Sequence, residues 1–155
     1  MPRPTRKLIR WPSEVYTVPG RIFSITIGTM PRAPVFADLA FGHACISLLS
    51  DVRDRHRLLV YAYCLMPDHV HLLAAMTSRE SITEAIKAWK SLCYQERRLR
   101  GNAAKFWQRS FFDRMIREDE EIFGVATYIL MNPVRAGLVR DYHDYPLCGS
   151  FEFTL

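Results

Sequence analysis

The chain has 155 residues, of which 49% are hydrophobic and 24% charged, a length and composition that fit one compact domain. No apolar run reaches the roughly 18 residues that a membrane-spanning helix needs, and no secretory signal leads the chain. The net charge of +5 favours an anionic partner, and the four widely spaced cysteines fit reduced thiols in a cytoplasmic protein.

The first 20 residues predict an irregular basic arm, because Arg3, Arg6, Lys7 and Arg10 are interspersed with prolines. Such an arm is either a solvated tail or a contact for nucleic acid. An alternating β-rich run over 21–27 then predicts the first strand. Helical spacing of apolar residues over 35–56 predicts the first helix.

Two strands and a second helix follow. The nearly continuous apolar run over 58–66 is typical of a strand buried on both faces, and a Pro67-Asp68 turn leads into a partner strand over 69–76. Ser81 and Glu84 have the spacing of a capping box, so the second helix should begin after Ser81.

The last third of the chain predicts one more strand and one more helix. The strand covers roughly 111–116, and the acidic run over 118–121 should start the helix, because acids suit the positive end of a helix. Pro133 should stop that helix, and residues 140–155 form a C-terminal extension.

The predicted order is strand–helix–strand–strand–helix–strand–helix, within a single domain spanning 1–155. Its first six elements are the split βαβ pattern, so we expect an α+β fold with a ferredoxin-like antiparallel sheet. The added C-terminal helix could cover the sheet face that the first two helices leave open.

His69 and His71 are the first candidate functional residues. Alternate residues of a strand point to the same face, so these two imidazoles should stand side by side while Val70 and Leu72 point the other way. Two adjacent imidazoles on a rigid strand are half of a divalent-metal site. The alternative is a pair of partly exposed histidines in an edge hairpin.

Cationic residues are concentrated between positions 86 and 117, where nine Lys or Arg face two acids. Aromatic residues are interspersed among them, which favours contact with phosphates and unpaired bases, although a solvated helix face beside ordinary core aromatics is the alternative. The candidate DNA-binding residues are Arg97, Arg98, Arg100, Lys105, Trp107, Arg109 and Arg114.

Tyr128 and Asn132 stand four residues apart on the last predicted helix and should share one face. The Asn132 oxygen suits a metal as a third ligand, and the negative end of the helix also favours a cation. Tyr128 would then be a candidate nucleophile toward a metal-polarised phosphate. Alternatively, Tyr128 is a core residue and Asn132 simply ends the helix.

Three segments together resemble the single-tyrosine HUH transposases, most closely the REP-associated tyrosine transposases, relatives of the IS200/IS605 group. The segments are Met66-Pro-Asp-His-Val-His-Leu-Leu73, Phe106-Trp-Gln-Arg109 and Tyr128-Ile-Leu-Met-Asn-Pro-Val-Arg-Ala-Gly-Leu-Val139. The resemblance covers roughly residues 15–147.

This resemblance implies a cytoplasmic bacterial enzyme that cleaves and rejoins single-stranded DNA at hairpins through a 5′-phosphotyrosine. Carried over by position, His69, His71 and Asn132 would bind Mg²⁺ or Mn²⁺, and Tyr128 would be the nucleophile. Some relatives exchange the tyrosine helix within a dimer, so both a monomer and a homodimer are compatible with the sequence.

Two other functions are alternatives to DNA cleavage and rejoining. An inactive or domesticated binding module of the same fold would bind single strands without cleaving them. A nucleotide hydrolase with three alternating histidines is disfavoured, because the third position is Leu73. Glycine-rich nucleotide-binding motifs are absent, which agrees with a transesterification that needs no ATP.

Overall fold

A computed structural model describes residues 11–155, so residues 1–10 of the predicted basic arm lie outside the described residues. The strands are β1 (Ile22–Gly28), β2 (Leu58–Met66), β3 (His69–Met76), β4 (Phe112–Met115) and β5 (Cys148–Gly149). The helices are α1 (Leu39–His56), α2 (Ile82–Leu99), α3 (Ile122–Leu130) and α4 (Asn132–Arg135). No helix of this described part is long and apolar enough to cross a membrane.

The strands form one antiparallel sheet in the order β4-β1-β3-β2-β5. The order of the first four strands is that of the split βαβ pattern, so the predicted ferredoxin-like fold is confirmed. The fifth strand was not predicted from the sequence. It is two residues long and pairs Cys148 with Cys64 at the edge of β2.

The two faces of the sheet carry different cores. Helices α1 and α2 pack against each other over one face, where Ile25, Val70 and Leu72 contribute to the larger core. Helix α3 packs against β2 and β3 on the other face, where Ala126 and Ile129 meet Leu73. Helix α3 therefore covers the face that the two earlier helices leave open.

A β-bulge in β2 changes the sheet face to which the later side chains of this strand point. The register against β3 shifts between Val60 and Ala62, with Val60 in the larger core and Ala62 in the smaller one. A bulge adds one residue to a strand, so every later side chain changes face. As a result Cys64, the cross-strand neighbour of His71, lies on the α3 face.

The first helix starts later than predicted, whereas the second starts where predicted but without the expected capping bond. Residues Val35–Ala37 form a separate 3₁₀ turn, and α1 begins only after Asp38, whose carboxylate accepts a hydrogen bond from the Phe41 amide at 3.2 Å. Helix α2 does begin after Ser81, but the Ser81 hydroxyl contacts Thr83 at 2.7 Å and forms no capping bond.

The acidic run does not start α3, which begins at Ile122. Glu120 instead turns its carboxylate back toward β4, accepting hydrogen bonds from Arg114 at 2.8 and 3.0 Å and from the Arg117 amide at 3.0 Å. These contacts keep the segment in a turn, so the prediction of a helix start over 118–121 is wrong.

The C-terminal extension is fastened to the body of the molecule by Glu152. Its carboxylate accepts two hydrogen bonds from Arg53 on α1, at 2.7 and 3.0 Å, and one from the Val60 amide on β2 at 3.2 Å. Charge-assisted bidentate pairs of this kind are among the stronger polar contacts in proteins. The extension is thereby tied to both a helix and a strand.

Candidate active site

His69 and His71 lie side by side on the α3 face of β3. Their ring centroids are 4.8 Å apart and their planes are nearly perpendicular, at 88°. Val70 and Leu72 are buried on the opposite face, as the alternation predicts. Among residues 11–155, no three His, Cys, Asp or Glu side chains cluster to hold a metal.

Each histidine has a partner at its Nδ1 atom. Asp68 places a carboxylate oxygen 2.6 Å from Nδ1 of His69, and the Thr26 hydroxyl lies 3.3 Å from Nδ1 of His71. Metal-binding histidines commonly engage one ring nitrogen with a carboxylate or hydroxyl in this way, which fixes the ring and presents the other nitrogen. In both rings Nε2 is therefore the nitrogen that is available to bind a metal.

His71 is held in its neutral form. Burial, with smaller contributions from His69 and Arg135, lowers the pKa of His71 to about 4. Desolvation disfavours the charged imidazolium, and neighbouring positive charges add to that effect. His71 is therefore unprotonated at neutral pH, which is the state that binds a metal.

Pro133 interrupts the helix that carries Tyr128, but it does not stop the chain from being helical. Helix α3 ends at Leu130, and α4 begins at Asn132 with the proline in its first turn. Proline is tolerated there because its missing N–H is not needed. The predicted helix end at Asn132 is therefore two residues late, because α3 ends at Leu130 and the missing N–H of Pro133 is felt one turn before the proline.

The Asn132 side chain replaces the backbone hydrogen bond that is lost at Pro133. Proline has no N–H to offer the Ile129 carbonyl, and Nδ2 of Asn132 donates to that carbonyl at 2.8 Å. This bond assigns the amide nitrogen to the helix, so the amide oxygen is the atom that remains to bind a cation.

Tyr128 is exposed, with 66% of its surface accessible, which excludes the alternative that it is a core residue. The guanidinium of Arg135 lies 3.9 Å from the centroid of its ring, and Nη2 of Arg135 donates to the Tyr128 carbonyl at 2.8 Å. Tyr128 also lines a shallow depression together with Arg114 of β4 and Glu120, and these two charged residues are paired at 2.8 Å.

Arg135 also connects Tyr128 to the histidine pair. Its positive charge contributes to the lowered pKa of His71 and partly offsets the rise that burial causes in the pKa of Cys64, so the guanidinium lies within electrostatic range of that part of the sheet. Arg135 was not predicted from the sequence as a site residue. Its spacing of seven residues from Tyr128 was the available signal, because residues two helical turns apart lie on the same side of a helix.

Gln108 is a second residue that the sequence analysis missed as a site residue. Its backbone N–H donates to the Gly28 carbonyl at 2.9 Å, and its side chain lies over Gly28, where a Cβ would be 2.7 Å from its Cδ and Oε1 atoms. Gly28 pairs with His69 across the sheet, on the same face. The Gln108 side chain therefore lies beside His69.

The candidate DNA-binding residues do not lie together. Arg114 is beside Tyr128, whereas Arg97 and Arg98 lie at the end of α2, over the rings of Phe106 and Tyr94. Arg100 is paired with Glu96 at 2.9 Å, Lys105 is exposed and Arg109 lines a different pocket. Trp107 is half-buried, with its indole N–H donated to the Lys90 carbonyl at 3.0 Å, so this ring belongs to the edge of the core.

The sequence model of the family described as IS200-like transposases matches residues 21–132. A Haemophilus influenzae protein provisionally named a REP-associated tyrosine transposase is 29% identical over 96 residues, which cover 55% of this chain and 54% of that protein. The REP-associated tyrosine transposase of Escherichia coli is 23% identical over 131 residues, covering 84% of this chain and 77% of that protein.

A solved structure, a REP-associated tyrosine transposase bound to a REP hairpin, superposes with a TM-score of 0.72 at 18% identity, covering 86% of this chain and 78% of that one. At this level of identity the likeness shows the fold. The aligned region spans about half the length of the H. influenzae relative.

Proposed function

The chain belongs to the IS200-like transposase family, and from that premise we propose that it cleaves and rejoins single-stranded DNA through a covalent bond to Tyr128. The observation that carries the proposal is the exposed Tyr128 with Arg135 against its ring, on the helix that packs over the strand of His69 and His71. A nucleophile must be accessible to its substrate, and Tyr128 meets that requirement.

His69, His71 and Asn132 are the proposed ligands of a divalent cation. Their support is the donor set: both Nδ1 atoms have partners, and the amide nitrogen of Asn132 is bound to its own helix. Mg²⁺ or Mn²⁺ would polarise a non-bridging oxygen of the scissile phosphate when bound. Nitrogen ligands favour Mn²⁺ on affinity, and cellular abundance favours Mg²⁺.

The proposed reaction exchanges one phosphodiester for another. The phenol oxygen of Tyr128 attacks phosphorus, the bond from phosphorus to the 3′ oxygen breaks, and the phenol proton is transferred through solvent to the departing 3′ oxygen. The products are a 5′-phosphotyrosine and a free 3′ hydroxyl. Attack by a 3′ hydroxyl on the phosphotyrosine reverses the step, so no nucleotide cofactor is needed.

Arg135 and Arg114 have complementary roles in this proposal. Arg135 fixes the Tyr128 ring by stacking and by its bond to the backbone carbonyl, which orients the nucleophile before the substrate arrives. Arg114 on β4 lines the same depression, where a phosphate would compete with Glu120 for its guanidinium. Both cations would offset the negative charge that develops on the phosphate during attack.

The proposed substrate is a hairpin-containing single strand. The support is the structural neighbour, a REP-associated tyrosine transposase bound to a REP hairpin, together with the net charge of +5 of this chain. A cationic surface attracts any nucleic acid, so the charge alone does not select a sequence.

The test is incubation of the protein with labelled hairpin DNA and Mn²⁺, followed by denaturing electrophoresis. A protein–DNA species that survives denaturation is expected for the wild type and should be lost in Tyr128→Phe. Tyr94→Phe is the matched control, because the Tyr94 hydroxyl is already donated to the Ala103 carbonyl at 2.9 Å. An adduct that maps to the Tyr94 peptide, or hairpin binding with no adduct, would overturn the proposal.

The metal assignment has its own test. His69→Ala and His71→Ala should each abolish adduct formation and weaken Mn²⁺ binding measured by calorimetry, while hairpin affinity in EDTA stays close to that of the wild type. Normal cleavage by either variant with Mn²⁺ present would show that the histidine pair is not the metal site.

A further inference from the structure

A second cavity lies away from the tyrosine, at the edge where α2 meets the segment preceding β4. Its volume is about 370 Å³, within the range of pockets that hold small ligands. The buried rings of Tyr16 and Phe111 form its apolar floor, and Trp11 forms a wall with 43% of its surface exposed. An exposed indole over an aromatic floor offers a flat surface for a planar group.

The rim of this cavity is cationic. Lys87, Lys90 and Arg109 line it, and its lining among the described residues contains no acid. Lys87 is 3.3 Å from Glu84, but both side chains are mostly exposed, so that pair competes weakly with another anion. Lys90 donates to the Gln108 carbonyl at 2.8 Å and lies about 6 Å from two aromatic rings, which keeps its charge at the rim.

The cavity adjoins the candidate active site through two consecutive residues. Gln108 lies over Gly28 beside His69 on the α3 face, whereas Arg109 lines the cavity on the side of α2. The two sites thus lie on opposite sides of the segment 107–110, which runs along the end of β1 at the edge of the sheet. A single strand that passed over this edge would contact both.

We propose that this cavity binds one unpaired nucleotide of the DNA substrate, with its base against Trp11 and its phosphate on the cationic rim. The combination of a planar apolar surface and several cations matches a nucleotide, since a base stacks on an aromatic ring and a phosphate needs positive partners. The statement that this nucleotide belongs to a DNA strand rests on the proposed function. The statement that the cavity suits a nucleotide rests on its own lining and does not.

The test measures equilibrium binding without cleavage, using protein that carries Tyr128→Phe in the presence of EDTA. The probes are a labelled hairpin with three unpaired nucleotides at its 5′ or 3′ end and the same hairpin with a blunt end. Trp11→Ala and Arg109→Ala should each weaken binding of at least one tailed hairpin by about 5- to 20-fold, a stacking-sized effect. Binding of the blunt hairpin should change less than about twofold.

Two controls make the result decisive. Trp11→Phe keeps an aromatic surface and should restore most of the affinity for the tailed hairpin, which a mere folding defect would not allow. Arg55→Ala removes an exposed charge from α1, outside the cavity, and should not distinguish tailed from blunt DNA. Equal losses for both probes, or no loss for the tailed ones, would overturn the proposal.

Free deoxyadenosine monophosphate separates the two possible sources of a nucleotide. At concentrations that saturate the tailed hairpin, the free nucleotide should not displace it, because it lacks the contacts of the rest of the strand. Displacement at similar concentrations would overturn the assignment to a DNA strand. If the variants weaken binding of tailed hairpins only, and the wild type forms no covalent adduct, this proposal holds and the proposed function fails.

Discussion

At the scale of single residues, Arg135 is the side chain that joins the two halves of the candidate site. It stacks on Tyr128, binds the backbone of that residue and acts electrostatically on His71. A lysine could supply the charge, but it lacks the planar guanidinium that both stacks and donates in a fixed direction. Arg135 is therefore a positioning residue whose geometry matters as much as its charge.

Arg135→Ala should slow adduct formation on the order of 100-fold, the scale seen when one donor to a developing charge is removed. Arg135→Lys should recover only part of that loss. The rate constant should be measured in single turnover with saturating hairpin, so that a change in affinity is not mistaken for a change in chemistry. Arg140→Ala, an exposed arginine of the following segment, serves as the control. Equal rates for Arg135→Lys and the wild type would contradict a positioning role.

At the scale of secondary-structure elements, the sequence predicted the positions of strands and helices better than the residues at which some of them begin or end. β2 and β3 were predicted with their observed bounds, because a continuous apolar run and a Pro67-Asp68 turn are local signals. The start of α3 was missed because Glu120 is held by Arg114, a contact that depends on where β4 lies.

In the candidate site, too, features with a local sequence signal were predicted and features that depend on contacts between distant segments were not. The shared face of His69 and His71 follows from strand alternation and was predicted. The position of Gln108 was not, because its nearness to His69 arises when the segment preceding β4 pairs with β1 through Gly28. That contact joins residues far apart in the sequence and leaves no periodic signal.

The attachment of the C-terminal extension gives a stability prediction that depends on pH. Glu152→Gln should lower the free energy of unfolding by about 1 to 2 kcal/mol at pH 7, because charge-assisted bonds from Arg53 to a mostly buried carboxylate are lost. Hydrogen bonding to Arg53 lowers the pKa of Glu152 below its usual 4.5, so the stabilisation is complete above that pH.

As the pH falls through the lowered pKa of Glu152, the carboxylate is protonated and the stabilisation is lost, so the two proteins should converge. Urea unfolding at pH 7, 5 and 3 measures this difference. Glu80→Gln is the control, since Glu80 is largely exposed and lies 3.8 Å from His56. A difference between Glu152→Gln and the wild type that stayed constant over this range would show that the ion pair is not its source.

At the scale of the whole molecule, the candidate site draws on distant parts of a single chain. The histidines lie on β3, Asn132 lies after α3, and α3 packs against β2 and β3 of the same chain. One chain thus contains both the proposed nucleophile and the proposed metal ligands. We therefore predict that each active site is completed within one chain.

Mixing two inactive variants tests this prediction. His69→Ala supplies an intact tyrosine and Tyr128→Phe supplies an intact histidine pair, so a site shared between chains would recover activity in the mixture. We expect no adduct after co-refolding the two variants at equal concentration. Recovery approaching a quarter or more of the wild-type yield would indicate that the tyrosine helix is exchanged within a dimer, and sedimentation measurements would then give its size.

The close approach of Gln108 to Gly28 means that substitutions at these two positions should not be additive. Gly28→Ala alone places a methyl group 2.7 Å from the Gln108 amide and forces it away from His69, whereas in a Gln108→Ala background the same methyl group has room. A double-mutant cycle of unfolding free energies should show a coupling of about 1 kcal/mol or more. In evolutionary terms the positions form an epistatic pair: enlarging residue 28 costs less once residue 108 is short.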